Sequence, residues 1–187
     1  GRPSYRARGR PGDTGLAIGD KAPDFQLETL GGDTIQLSQL KGRPVIVNFW
    51  ASWCAPCRQE MPAFDQIHQQ GDAIVIGVNL QEDTQIIRQF VNTLGISYPI
   101  ALDPDADVKT RYNVKVQPTT YFINGLGFIE DKKLGPIEQI PSSVPSTSQN
   151  HTIKTLDDGT NYIIHPDELR DGGPGKDGIP SIDNPTF

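Results

Sequence analysis

Val45-Ile46-Val47-Asn48-Phe49-Trp50-Ala51-Ser52-Trp53-Cys54-Ala55-Pro56-Cys57-Arg58 is the stretch around which the chain is organised. It holds the only two cysteines and both tryptophans of the 187 residues. The near-continuous apolar run 45–50, opened by Pro44, suits a central parallel strand covered on both faces. After it, Cys57, Met61, Phe64 and Ile67 recur at helical spacing, which predicts a helix starting near Cys54 and ending at Gly71. Pro62 inside that helix is expected to kink it. A strand that delivers a thiol pair to the first turn of a helix has chemical content. The unpaired N–H groups and partial positive charge of a helix start favour a thiolate.

Upstream, 22–27 and 34–37 alternate apolar and polar residues around Gly31-Gly32-Asp33, which reads as a β-hairpin. Ser38 is placed to cap a short turn through Leu40, stopped by Gly42. Downstream, 73–78 reads as a second buried strand. Ile86, Ile87, Phe90, Val91 and Leu94 make one apolar helix face, capped by Asp83 or Thr84 and stopped at Gly95. A short strand over 98–102 leads through Asp103-Pro104 into a helix over 104–112. Residues 119–123 are the next strand, and Asn124-Gly125 turns the chain into 128–130. Strands alternating with helices imply βαβ units, and the last pair adds an antiparallel edge.

Hydrophobic residues make up 35% and charged residues 21% of the chain, and the net charge is −6. That balance speaks against nucleic acid as a partner. No apolar run has the length of a membrane span, and no signal-peptide pattern is present. Residues 1–15 form a basic arm with Arg2, Arg6, Arg8 and Arg10. Such an arm suits either a solvated, flexible segment or contact with anionic lipid next to an N-terminal anchor. Residues 16–140 carry the strand and helix pattern. From 141 onward Pro, Ser, Thr, Gln and Asn mark a linker, followed by a small hairpin over 152–156 and 161–164 and a Gly/Pro/Asp-rich tail.

Two cysteines at i and i+3 admit three readings: a redox dithiol, half of a metal site, or an inert pair. A structural disulfide across so short a loop would scarcely restrict the unfolded chain. A structural zinc site wants four ligands, whereas His68, His151 and His165 do not stand at ligand spacing. The pattern therefore favours thiol–disulfide exchange, with no metal or other cofactor. Cys54, at the helix start, is the more exposed and more acidic thiol and hence the nucleophile; Cys57, one turn in, resolves the mixed disulfide. Ala55 and Pro56 tune the thiolate, because Pro56 removes an N–H donor from the first turn. Trp53 is read as an aromatic beside the site or as a packing residue, and Trp50 as core.

The segment Asn48 to Pro62 resembles the active-site region of the thioredoxin superfamily. More narrowly it is similar to TlpA/ResA-like thiol–disulfide oxidoreductases of the bacterial cell envelope, in the redoxin branch. Gly19-Asp20-Lys21-Ala22-Pro23-Asp24-Phe25, Leu40-Lys41-Gly42 and Val116-Gln117-Pro118-Thr119-Thr120 support the match over about 16–138. The resemblance implies a three-layer α/β/α fold with a mixed central sheet, an N-terminal β-hairpin and a central βα insertion. It also implies a cis peptide before Pro118, which leaves the backbone of Gln117 free to pair with an incoming peptide. Cytoplasmic thioredoxins carry a buried Asp where this chain has Asn48. Envelope relatives carry a Glu three residues after the second Cys, and Glu60 matches. On a helix that spacing puts Glu60 on the face of Cys57, where burial would raise its pKa and let it exchange the resolving thiol's proton.

The implied function is exchange of the Cys54–Cys57 pair with client protein disulfides. The chain would act as an extracytoplasmic bacterial reductant supplied by a thiol electron donor. A metal-holding or binding module is the alternative. A thiol peroxidase is a weaker one, since the P-x-x-x-T-x-x-C context is absent and Ala51 stands three residues before Cys54. Relatives close with a helix after the Gly-Pro that follows the last strand, but Pro141 and Pro145 forbid a long one here. The tail 141–187 is then expected either to fold back or to begin a second, fused domain, weakly similar to an uncharacterised envelope domain family.

Overall fold

A computed structural model describes residues 14–137 in full and the backbone of 152–155 and 161–164. Its centre is a five-stranded mixed sheet of order β5-β4-β3-β6-β7. These strands are β3 (Val45–Trp50), β4 (Ile74–Leu80), β5 (Ile100–Asp103), β6 (Thr119–Ile123) and β7 (Ile129–Leu134). A separate hairpin pairs β1 (Gln26–Glu28) with β2 (Thr34–Gln36). The sheet strands β3, β4 and β5 are parallel, β6 runs antiparallel beside β3, and β7 runs antiparallel to β6 at the edge.

The alternation of β3 divides the molecule into layers, because successive side chains face opposite ways. Val45, Val47 and Phe49 enter one apolar cluster, with Phe25 of the hairpin segment, Tyr112 and Tyr121. Ile46 and Trp50 enter the other, with Met61, Phe64 and Ile67 of α1 (Ala55–Gln70) and Ile87, Phe90 and Val91 of α2 (Thr84–Leu94). The short α3 (Asp107–Arg111) packs on the first side through Val108. This is the three-layer α/β/α arrangement, and α2–β5 supplies the βα unit in the middle of the chain. The hairpin is tied to the sheet edge by a bridge between Thr29 and Ala101 and by the Leu30 N–H donating to the Ile100 carbonyl.

Several local expectations change. Ser38 does not cap the 3-10 turn Leu37–Leu40; Asp24 does the work from outside, its carboxylate accepting from the Ser38 N–H and hydroxyl at 2.8 Å each. The helix expected over 104–112 shrinks to 107–111, because Ala106 takes a left-handed conformation and breaks the turn before it. Asp103 still serves that start, accepting from the N–H groups of Val108 and Lys109. Helix α1 continues through Pro62, which lies on its exposed face. The small hairpin is present as β8 (Thr152–Thr155) paired antiparallel with β9 (Asn161–Ile164). The arm 1–13 and the rest of the tail lie outside the described residues.

Candidate active site

The carboxyl end of β3 delivers the chain to Cys54, which is the N-cap of α1. Pro56 sits in the first turn, where its missing N–H costs nothing. The Cys57 N–H points at the Cys54 sulfur, 3.3 Å away. The two sulfurs are joined in a disulfide. Cys54 is 4% and Cys57 0% exposed, so the order of access is the expected one although both are buried. Trp53 is 70% exposed on the rim, while Trp50 is core, stacked on Phe90 with ring centres 5.1 Å apart. Arg58 lies over the other contact of that stack, 4.9 Å from the Phe90 ring centre. Ala55 is exposed and Pro56 half-buried.

Glu60 is buried in the layer between α1 and β3. Its Oε1 accepts from Asn48 Nδ2 at 2.8 Å, and the same amide nitrogen donates to Thr120 Oγ1 at 3.0 Å. Its Oε2 accepts from the Ile137 N–H at 3.3 Å. Burial raises the carboxyl to about 7, outweighing the two hydrogen bonds that pull the other way. Glu60 thus stands one helical turn beyond Cys57, on the same face, poised to change protonation near neutral pH.

The register of β3 with β6 pairs Phe49 with Thr119, which puts Pro118 at the start of β6 next to the end of β3. The Gln117–Pro118 peptide is cis, Pro118 is buried and Gln117 half-buried. The structure therefore brings Cys54, Cys57, Glu60, Trp53 and the Gln117–Pro118 edge to one end of the sheet. Among the described residues no group of three or more His, Cys, Asp or Glu is arranged to hold a metal ion.

Sequence reasoning did not find the partner of Ser52. The Glu82 carboxylate accepts from the Ser52 N–H at 2.7 Å, from the Ser52 hydroxyl, and from Asn79 Nδ2 at 2.7 Å. It pins the loop that precedes Cys54 to the end of β4. The available signal was topological: a carboxylate two residues past the carboxyl end of a parallel strand stands beside the loop of the neighbouring one. Asp65 was also missed; it is buried in α1 and accepts from Ser97 and Tyr98, fixing the helix to the connection before β5.

With this geometry in view, the likeness to known proteins is specific. The AhpC/TSA family model matches residues 18–132. The thioredoxin-like protein YneN of Bacillus subtilis is 38% identical over 66% of this chain and 75% of its own length. The thiol-disulfide oxidoreductase ResA of the same organism is 38% identical over 62% of this chain and 66% of its own length, just under two thirds. Among solved structures, one assigned as a DsbE-type thiol:disulfide interchange protein of Chlorobium tepidum superposes with a TM-score of 0.62. It is 34% identical, over 66% of this chain and 89% of that one.

Proposed function

The chain belongs to the AhpC/TSA family and is a thioredoxin-like thiol–disulfide oxidoreductase, and from that premise we propose that it reduces disulfides of client proteins outside the bacterial cytoplasm. One observation carries the residue roles: the Cys54–Cys57 pair caps α1, with a buried carboxyl one turn further in. The Cys54 thiolate attacks a client sulfur, forming a mixed disulfide and expelling one client thiolate. The Cys57 thiol passes its proton to Glu60 and attacks the Cys54 sulfur. The internal disulfide forms, the second client thiolate leaves, and two electrons have passed from the dithiol to the client. A thiol donor must then restore the pair.

Gln117 and Pro118 supply the backbone edge on which the client segment lies, and Trp53, Ala55 and Pro56 form the rim it meets. Extracytoplasmic placement fits the chemistry, since client disulfides persist in oxidising compartments. An N-terminal anchor and a fused second domain beyond 141 belong to the same reading, with 16–140 as the redox domain.

Trapping tests the reading. With Cys57→Ser, the mixed disulfide on Cys54 has no resolving thiol, so covalent client complexes accumulate and are released by dithiothreitol. The wild-type protein catalyses dithiothreitol-driven reduction of insulin, and Cys54→Ser does not. A chain that neither reduces insulin nor traps a partner is not a disulfide reductant.

A further inference from the structure

The parallel strands β3, β4 and β5 end at one edge of the sheet, and ligand crevices in open α/β sheets form outside such carboxyl ends. Beyond β3 lies Cys54. Beyond β4 and β5 opens a cleft of about 480 Å³, a size that suits a side chain or small ligand. Phe25, Leu27 and Leu102 give it an apolar floor. Its rim carries Glu28, Asp105 and Asp107, all exposed and without an ion-pair partner among the described residues. Arg111 also lines it, its guanidinium donating to the Asp24 carbonyl. Asp103 lines it too, but its carboxylate is occupied by the N–H groups of Val108 and Lys109.

A second feature is independent of the rim. Asn79, 1% exposed, lines the same cleft, and its Oδ1 has no donor among the described residues. Its amide nitrogen is engaged by Glu82, so the oxygen is left as an acceptor in want of a donor. Apolar walls, an unmatched buried acceptor and carboxylates at the mouth are together complementary to a long aliphatic side chain ending in N–H donors and positive charge.

We propose that this cleft is a subsite for a lysine or arginine side chain of the client polypeptide. The assignment rests on the disulfide-exchange reading for its client, but the cleft's chemistry stands by itself. Glu82 lines the cleft and holds Ser52, two residues before Cys54, so a client anchored there lies against the wall of the reactive loop. The subsite would select basic clients and orient them, raising affinity rather than the rate of sulfur exchange.

Two measurements on the full chain decide it. The first compares turnover of disulfide peptides identical except for arginine or its neutral isostere citrulline, placed at successive offsets from the cysteine. At one offset, kcat/KM for arginine exceeds that for citrulline by about fivefold, through KM, as one solvated ion pair allows. The ratio falls to one in E28Q/D105N/D107N and with added salt. The second follows the methyl signals of Leu27 and Leu102 while n-butylguanidinium is added; they shift in the wild type and far less in the triple variant. Equal turnover of the two peptides at every offset, or equal shifts in both proteins, overturns the subsite. Guanidinium-dependent shifts without turnover of any peptide support the subsite and sink the disulfide-exchange reading instead.

Discussion

At pH 8 the Glu60 carboxyl is charged inside an apolar layer, and that charge has a consequence for stability. Its ordinary value of 4.5 is raised to about 7 by burial. The native state therefore holds this proton more tightly than the unfolded chain does. The stability it brings is complete below about 4.5, falls as pH rises, and is lost once pH passes about 7. The gap is worth up to about 3 kcal/mol. With the disulfide intact, the urea midpoint of the wild type declines between pH 5 and pH 8, and that of Glu60→Gln lacks this decline. A parallel fall in both proteins would mean that another group carries the dependence. The same carboxyl is expected to set the pH profile of resolution: with Cys57 intact, client release from a preformed mixed disulfide slows in Glu60→Gln, and its inflection moves from near 7 toward the free-thiol range of about 8.5. At this scale the sequence was informative where partners lie one helical turn apart, as Cys57 and Glu60 do. It was silent on Ile137, which reaches Glu60 from 77 residues away.

The elements were legible because their apolar periods are strong and their stops are glycines. Gly71 and Gly95 both take the left-handed conformation that ends a helix, at φ 80° and 69°. What periodicity could not show is how the layers meet. Gly77 of β4 is an example, since it reads simply as a small residue in an apolar run. A Cβ there would come within 2.9 Å of Trp50 Nε1, 2.9 Å of Tyr98 Cε2 and 3.0 Å of Ile100 Cδ1. The glycine is what lets the indole and the phenol ring close over the strand. Gly77→Ala is accordingly expected to cost about 1–3 kcal/mol through overpacking, read as a lower urea midpoint. An unchanged midpoint would show that the three side chains yield without loss. The tie between Glu82 and Ser52 belongs to this scale as well. It spans 30 residues and exists only because β3 and β4 pair side by side in parallel. No local pattern encodes it.

For the whole molecule, the sequence left open how the chain continues after β7. The described residues carry its first steps, in Gly135-Pro136-Ile137. Gly135 adopts φ 85° and donates its N–H to the Pro118 carbonyl, turning the chain back toward the site. Ile137 then packs against the α1–α2 cluster and gives its N–H to Glu60. Prolines 141 and 145 made a long helix untenable on paper, but a turn that ends on a buried carboxylate has no periodic signature. We propose that the redox domain ends just beyond this contact. On that reading a chain ending at residue 140 unfolds at the same urea concentration as the full chain and keeps its insulin-reducing activity. A chain ending at Leu134 loses the partial burial of Ile137 and a hydrogen bond to a carboxyl group, together about 2–3 kcal/mol. Denaturant titration of the two truncated chains separates these outcomes. If the longer one is as destabilised as the shorter, the tail beyond 140 is part of the fold and the domain boundary lies further along the chain.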